Sequence, residues 1–115
     1  MSGGWIGVDL DGTLARYDGY RGEEIGDPVP LMVIRVQQWL RQGKQVKIFT
    51  ARISHGTDDE RAATAWRIVQ WCEKHIGQAL VVTNVKDHAM IELWDDRAIQ
   101  VERNTGEPVG DGSLR

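Results

Sequence analysis

Short apolar runs that end abruptly in polar residues alternate along this chain with longer segments of helical periodicity, and this alternation constrains the fold more than any other feature. Trp5–Asp9 ends in an aspartate, and Gln45–Thr50 ends in a threonine. Such runs are typical of buried parallel strands whose carboxyl ends open on a site. The segments between them repeat apolar residues at helical spacing. The sequence therefore predicts an α/β fold with a doubly wound, mainly parallel sheet of about five strands.

Capping and turn residues set the boundaries of the predicted elements. Asp27 precedes a proline, which predicts the start of a first helix that ends at Gly43. Thr57 and Glu60 match a capping box, so we expect the second helix to begin there and to end at Gly77. The remaining strands are predicted at Ala79–Thr83, Met90–Trp94 and Ala98–Glu102.

Length and composition favour one domain. A chain of 115 residues supports a single apolar core, so we assign residues 1–115 to one domain. The formal net charge is −3, with acidic and basic residues interspersed, which argues against a surface for duplex nucleic acid. Cys72 is the only cysteine, and no stretch approaches the roughly 20 apolar residues of a membrane-spanning helix. We expect no membrane partner and a reducing, cytoplasmic setting.

Aspartates at two strand ends predict a metal site. Asp9 and Asp11 lie two residues apart, so on an extended chain their side chains leave the same face. Two carboxylates this close repel each other unless a cation lies between them. Mg²⁺ prefers oxygen ligands and needs only a few protein carboxylates, and Asp95 and Asp96 after another strand would complete such a site.

The same residues predict phosphoryl-transfer chemistry. A metal-held carboxylate can attack phosphorus in line, which makes Asp9 the candidate nucleophile. A second carboxylate that can hold a proton, Asp11, would protonate the leaving alcohol and later activate water. The phosphoryl oxygens need donors, for which we select Thr50, Lys86 and the amides of the loop after Asp9, including Gly12.

The string Asp9-Leu10-Asp11-Gly12-Thr13-Leu14 after an apolar strand resembles the first signature of the haloacid-dehalogenase-like (HAD) phosphatase superfamily. Three further motifs of that superfamily follow in order. Thr50 closes an apolar strand, Lys86 lies upstream of the last motif, and Asp95-Asp96 forms the final acidic pair. The resemblance covers roughly residues 5–103 and implies a Rossmann-like fold.

The resemblance implies a role for each matching residue. Asp9 would be the nucleophile and a metal ligand, and Asp11 the general acid/base, with its backbone carbonyl on the metal. Thr50 and Lys86 would hold the phosphoryl group. Asp95 would bind Mg²⁺, with Asp96 assisting directly or through water.

Two departures from the family pattern affect these roles. Only residues 14–27 and 51–57 are available for a cap over the substrate, so the chain resembles a capless member with an open site. Lys86 also precedes Asp95 by only nine residues, which leaves little room for a helix between them. If Lys86 points elsewhere, Arg52 or Arg97 would have to supply the missing cation, and the alternative role for each is to pair with the acidic residues.

The expected activity is Mg²⁺-dependent hydrolysis of a small phosphomonoester through a phosphorylated Asp9. A nucleotide, a nucleic-acid 3′-end and a sugar phosphate are equally plausible substrates, and a homodimer would supply the missing lid. Two other functions stay open. One is a phosphoacceptor switch like a receiver domain, although such domains carry the accepting aspartate on a central strand, where this chain has Phe49 and Val82. The other is a catalytically inactive binding module.

Overall fold

The computed structural model describes residues 3–19 and 22–110. Within these ranges two helices and four strands follow one another as the sequence pattern predicts, with a 3₁₀ turn between β2 and α2. Their bounds are β1 Trp5–Asp9, α1 Pro30–Arg41, β2 Gln45–Phe49, the 3₁₀ turn Ala51–Ile53, α2 Asp58–His75, β3 Val81–Thr83 and β4 Met90–Trp94. No helix within these described ranges is long and apolar enough to cross a membrane.

The sheet is parallel throughout and has the strand order β3-β2-β1-β4. Asp9 pairs with Phe49, and Phe49 in turn pairs with Thr83, so three strands end level with one another. The carboxyl ends of all four strands therefore meet at one edge of the sheet. That edge is where a parallel α/β sheet binds its ligands.

The prediction of a fifth strand at Ala98–Glu102 is wrong. In the described part of the chain this segment forms a single antiparallel bridge, between Val101 and Pro108. Glu102 N–H donates to the carbonyl of Glu107 at 2.7 Å, across a turn in which Asn104 has φ 68°. This local hydrogen bond uses a backbone N–H group that, in a fifth strand, would bond to the adjacent strand of the sheet. The sheet has four strands rather than about five.

Both helices pack on the same face of the sheet. Val33 of α1 and Ile68 of α2 belong to one buried cluster, together with Ile6 and Val8 of β1, which point to a common face. A doubly wound sheet carries helices on both faces, so that part of the prediction is wrong for the described residues. Residues 84–89, which lead from β3 to β4, contain no helix to cover the opposite face.

The first helix begins later than its capping pattern predicts. Asp27 does not cap it; α1 starts at Pro30, after Val29 in an extended conformation. The backbone of Asp27 accepts from Arg16 N–H at 2.8 Å, and Val29 N–H donates to Leu14 at 2.8 Å. These bonds hold residues 27–29 extended against residues 14–16, so the helix cannot begin before them.

The capping box of the second helix is confirmed. Thr57 accepts from Glu60 N–H at 3.1 Å, and the Glu60 carboxylate accepts from Thr57 N–H at 2.8 Å. The bonds at residues 14–16 and 27–29 also close the base of a loop, and we call its described residues, 16–19 and 22–27, the flap. The predicted hairpin around Tyr17–Arg21 falls partly on residues 20 and 21, which lie outside the described residues.

Candidate functional site

Three aspartates meet where β1 and β4 end. Asp9 is the last residue of β1, and Asp95 and Asp96 follow β4 directly. Each offers a carboxylate oxygen, and these oxygens lie within 4.8 Å of one another. We call Asp9, Asp95 and Asp96 the carboxylate cluster. Carboxylate oxygens at this spacing could hold a cation, and the sequence predicted Mg²⁺ at these three residues.

The Asp9 carboxylate bears an electrostatic penalty in the cluster. Burial, with the neighbouring charge of Asp95 and a hydrogen bond and charge from Asp96, raises the pKa of Asp9 to about 7. Burial disfavours a bare carboxylate, and a second negative charge nearby disfavours it further. A divalent cation would reverse both effects because it favours the ionised form. The donor set and its electrostatics therefore fit a metal ion.

Thr13 joins two members of the carboxylate cluster. Its hydroxyl lies 3.4 Å from Asp9 Oδ2 and 3.3 Å from Asp96 Oδ1, and it accepts from Asp96 N–H at 3.1 Å. A hydroxyl has one proton, so it donates to one of the two carboxylates at a time. Sequence reasoning assigned no role to Thr13. The sequence feature that could have identified it is its position in the turn, four residues after Asp9. Such a turn brings the side chain back to the end of the strand.

Gly12 allows the two acidic segments to approach each other. It has φ +93°, and a Cβ placed on it would lie 2.6 Å from Asp96 Oδ2. A side chain at this position would displace the Asp96 carboxylate. The Gly12 amide donates to the Ala15 carbonyl at 2.8 Å. This amide was predicted to bind phosphate, but it already donates its proton within the loop. The role that the structure shows for Gly12 is steric: it leaves space for the Asp96 carboxylate.

The carboxylate of Asp11 lies outside the cluster and is held by Arg52. Arg52 Nε donates to Asp11 Oδ2 at 2.7 Å, and Nη2 donates to Oδ1 at 2.9 Å. Each side chain is about one-fifth exposed. This is a bidentate, charge-assisted pair, which fixes both groups. The structure thus separates the side chains of Asp9 and Asp11, in line with the sequence-based role of Asp11, whose carboxylate was predicted to lie off the metal.

Thr50 is buried at the end of β2 and faces the site. It is 4% exposed, and its hydroxyl accepts from Arg52 N–H at 3.1 Å, which caps the 3₁₀ turn. Because that bond uses the oxygen as an acceptor, the hydroxyl proton can still be donated. Thr50 therefore both caps the next turn and has a donor to offer to a phosphoryl oxygen.

A cavity of about 700 Å³ opens beside these residues. Asp9, Asp11 and Thr50 line one end of it, together with Asp95 and Asp96. The flap, the segment after β2 and one side of α2 form its walls. Ligand sites of proteins commonly occupy this range of volume.

The described residues that line the cavity include three arginines, Arg52, Arg67 and Arg97, but not Lys86. Lys86 lies on the helix-free segment 84–89, which leaves the site at once. Asn84 still contacts the 3₁₀ turn, whereas Asp87 accepts from the Trp5 indole at the opposite end of β1, at 2.8 Å. The structure therefore does not bring Lys86 to the cavity. Arg52 and Arg97, the alternatives from sequence, both line it.

Comparisons with known proteins support the fold alone. A conserved protein from Bacteroides thetaiotaomicron of known structure is similar to this chain, with a TM-score of 0.60 and 17% sequence identity. The match covers 84% of this chain and 78% of that protein. No protein-family model matches the chain, and no curated protein matches it.

Proposed function

We propose that this protein is a Mg²⁺-dependent phosphomonoester hydrolase that acts through a phosphorylated Asp9. One observation carries the proposal. The Asp9 carboxylate belongs to a cluster suited to a cation, while the Asp11 carboxylate, two residues on, is held apart from it by Arg52. A nucleophile and an acid/base need different surroundings, and this arrangement provides them.

Asp9 would attack the phosphorus atom with one oxygen, and the P–O bond to the leaving alcohol would break. Mg²⁺, held by Asp9, Asp95 and Asp96, would neutralise charge on the carboxylates and the phosphoryl oxygens. Thr50 would donate its hydroxyl proton to a phosphoryl oxygen. Thr13 would keep Asp9 and Asp96 oriented through the hydrogen bonds described above.

Asp11 would act as the acid in the first half of the reaction and as the base in the second. Its carboxyl group gives a proton to the leaving oxygen, and then takes one from the water that attacks phosphorus and releases Asp9. Asp11 must therefore be protonated before the first step, and it stays ionised in the phosphorylated intermediate until it takes the proton from water. We propose that the incoming phosphoryl group draws Arg52 away from Asp11, because guanidinium binds phosphate and carboxylate oxygens in the same bidentate way.

Phosphate release tests this function. The native chain and Asp9→Asn are compared on acetyl phosphate, nucleoside monophosphates and sugar phosphates, with Mg²⁺ and with a chelator present. We expect release that requires both Mg²⁺ and Asp9, and a phosphorylated Asp9 in rapidly quenched samples. Release that survives Asp9→Asn would exclude this nucleophile. Phosphorylation without turnover would indicate the phosphoacceptor switch instead. A cytoplasmic setting and a homodimer stay predictions.

A further inference from the structure

The cavity extends well beyond the carboxylate cluster, along one side of α2. Ala63, Thr64 and Arg67 of α2 line the cavity here, and so do Tyr17 and Ile25 of the flap. Spacings of three and four residues place the α2 side chains on one helix face. A phosphoryl group alone fills only a small part of about 700 Å³. The extension is therefore sized for the rest of the substrate.

Two contacts hold the flap against α2 and close one side of this extension. Arg67 Nη2 lies 2.9 Å from Glu23 Oε1, and Trp71 Nε1 donates to the Gly26 carbonyl at 3.1 Å. Arg52 also donates to the Glu24 carbonyl at 2.8 Å, so the flap is fixed at the catalytic end as well. The described part of the flap is thus anchored both to α2 and to Arg52.

The walls of the extension favour a ring. Tyr17 supplies an aromatic face, and Ile25 adds apolar surface beside it. Ala63 of α2 has the smallest side chain that is not glycine, which leaves room for a flat group to lie against the helix. Aromatic side chains stack on planar rings with little cost in conformational entropy. Thr64 and His55 add hydrogen-bonding groups at the margins.

The charges along the cavity disfavour a second anion on the substrate. The described residues that line it include six carboxylates and three arginines. A metal ion would offset the carboxylate cluster at one end. Towards α2, Arg67 is already paired with Glu23, and Glu60 adds another negative charge. A leaving group with its own phosphate or carboxylate would meet net negative charge there.

From the size, walls and charge of this extension, we infer that it binds the leaving group of the substrate, an uncharged, ring-bearing alcohol of nucleoside size. This inference rests on the proposed function. It selects nucleoside monophosphates over the sugar phosphates and the nucleic-acid ends that the sequence left equally plausible.

A matched pair of variants tests the inference. Ala63→Leu fills the extension, while Ala62→Leu makes the same change at the adjacent α2 position, which is exposed and does not line the cavity. Both are compared with the native chain for kcat/KM on nucleoside 5′-monophosphates, ribose 5-phosphate, nucleoside 3′,5′-bisphosphates and acetyl phosphate, with Mg²⁺ present.

We expect the native chain to prefer the nucleoside monophosphates over ribose 5-phosphate and over the bisphosphates by about tenfold in kcat/KM. Ala63→Leu should remove this preference and keep the acetyl phosphate rate, and Ala62→Leu should change neither. Equal kcat/KM on the nucleoside monophosphates, ribose 5-phosphate and the bisphosphates would overturn the inference and leave the phosphatase activity in place. A preference that survives Ala63→Leu would do the same.

Binding of the dephosphorylated product keeps the inference testable without turnover. Adenosine, guanosine, uridine and thymidine are titrated into the native chain and both variants, and binding is followed by ligand-observed NMR. Binding to the native chain and to Ala62→Leu, weakened in Ala63→Leu, would support the nucleoside site even if no phosphate is released. Absence of binding by all four nucleosides would overturn it.

Discussion

The guanidinium of Arg52 joins the Asp11 carboxylate to the backbone of the flap. It donates to both Asp11 oxygens, at 2.7 and 2.9 Å, and to the carbonyls of Glu23 and Glu24, at 3.3 and 2.8 Å. One side chain thus orients the candidate acid/base and fixes the loop that roofs the cavity. A loss of Arg52 should therefore affect two parts of the site together.

Arg52→Lys should lower kcat/KM by about a hundredfold, because an ammonium group cannot reproduce the planar, bidentate contact or reach both carbonyls at once. The measurement is steady-state hydrolysis of the best substrate from the panel. Arg61→Lys is the control, since Arg61 pairs with Asp58 on the exposed surface of α2 and exposed pairs contribute little. Equal rates in native and Arg52→Lys would contradict this role.

Mg²⁺ should stabilise the folded protein through the carboxylate cluster. A ligand that binds only the folded state, at a hundred times its Kd, stabilises by about 2.7 kcal/mol. We expect a rise in Tm with added Mg²⁺ in the native chain and little rise in Asp95→Asn. Asp59→Asn, a change of the same kind in the first turn of α2, should keep the full response. An undiminished rise in Asp95→Asn would place the ion elsewhere.

Without metal, the stability of the native chain should fall relative to Asp9→Asn as pH rises from about 4 to about 7. The pKa of Asp9 is raised from 3.8 to about 7 in the folded state, mainly by burial. Between these values the folded state keeps a proton that the unfolded state releases, so a rise in pH favours unfolding. Above about 7 both states are ionised and the difference levels off.

Urea unfolding in the presence of a chelator checks this at pH 5, 6, 7 and 8. The free energy of unfolding of Asp9→Asn should rise relative to that of the native chain at each step up to pH 7, because asparagine carries no charge to bury. Asp18→Asn, at an exposed flap position, is the control and should follow the native curve. A constant difference across the range would contradict the raised pKa.

The elements that sequence predicted best are those fixed by local chemistry. The capping box of Thr57 and Glu60 needs only residues three apart, and β1 is marked by an apolar run that ends at Asp9. The start of α1 could not be read in this way. Asp27 resembles a helix cap, but its backbone is paired with Arg16 in the base of the flap, which depends on the fold of the whole loop.

The site residues that lie at strand ends could be predicted from the sequence. Those whose position depends on the path of a loop could not. Asp9, Thr50 and Asp95 meet because parallel strands end at one edge. Lys86 fitted the order of the motifs, yet the helix-free segment that carries it runs towards Trp5 at the other end of β1. The pairing of Asp11 with Arg52, 41 residues apart, depends on side-chain geometry that no spacing encodes.

Thr13 is the site residue that sequence reasoning passed over, and its role is open to a direct test. Thr13→Val keeps the shape of the side chain but removes the hydroxyl that contacts Asp9 and Asp96. Asp96 N–H would also lose its acceptor. Because groups that orient metal ligands typically affect affinity by 10–100-fold, we expect Mg²⁺ affinity to fall by about tenfold.

Thr13→Ser retains the hydroxyl and should restore most of the Mg²⁺ affinity, which separates an effect of hydrogen bonding from an effect of packing. Isothermal titration of Mg²⁺ into the native chain and both variants measures it, without any need for turnover. If Thr13→Ser binds Mg²⁺ as weakly as Thr13→Val, the hydroxyl does not organise the cluster. If both bind like the native chain, the carboxylates of Asp9 and Asp96 keep their positions without it.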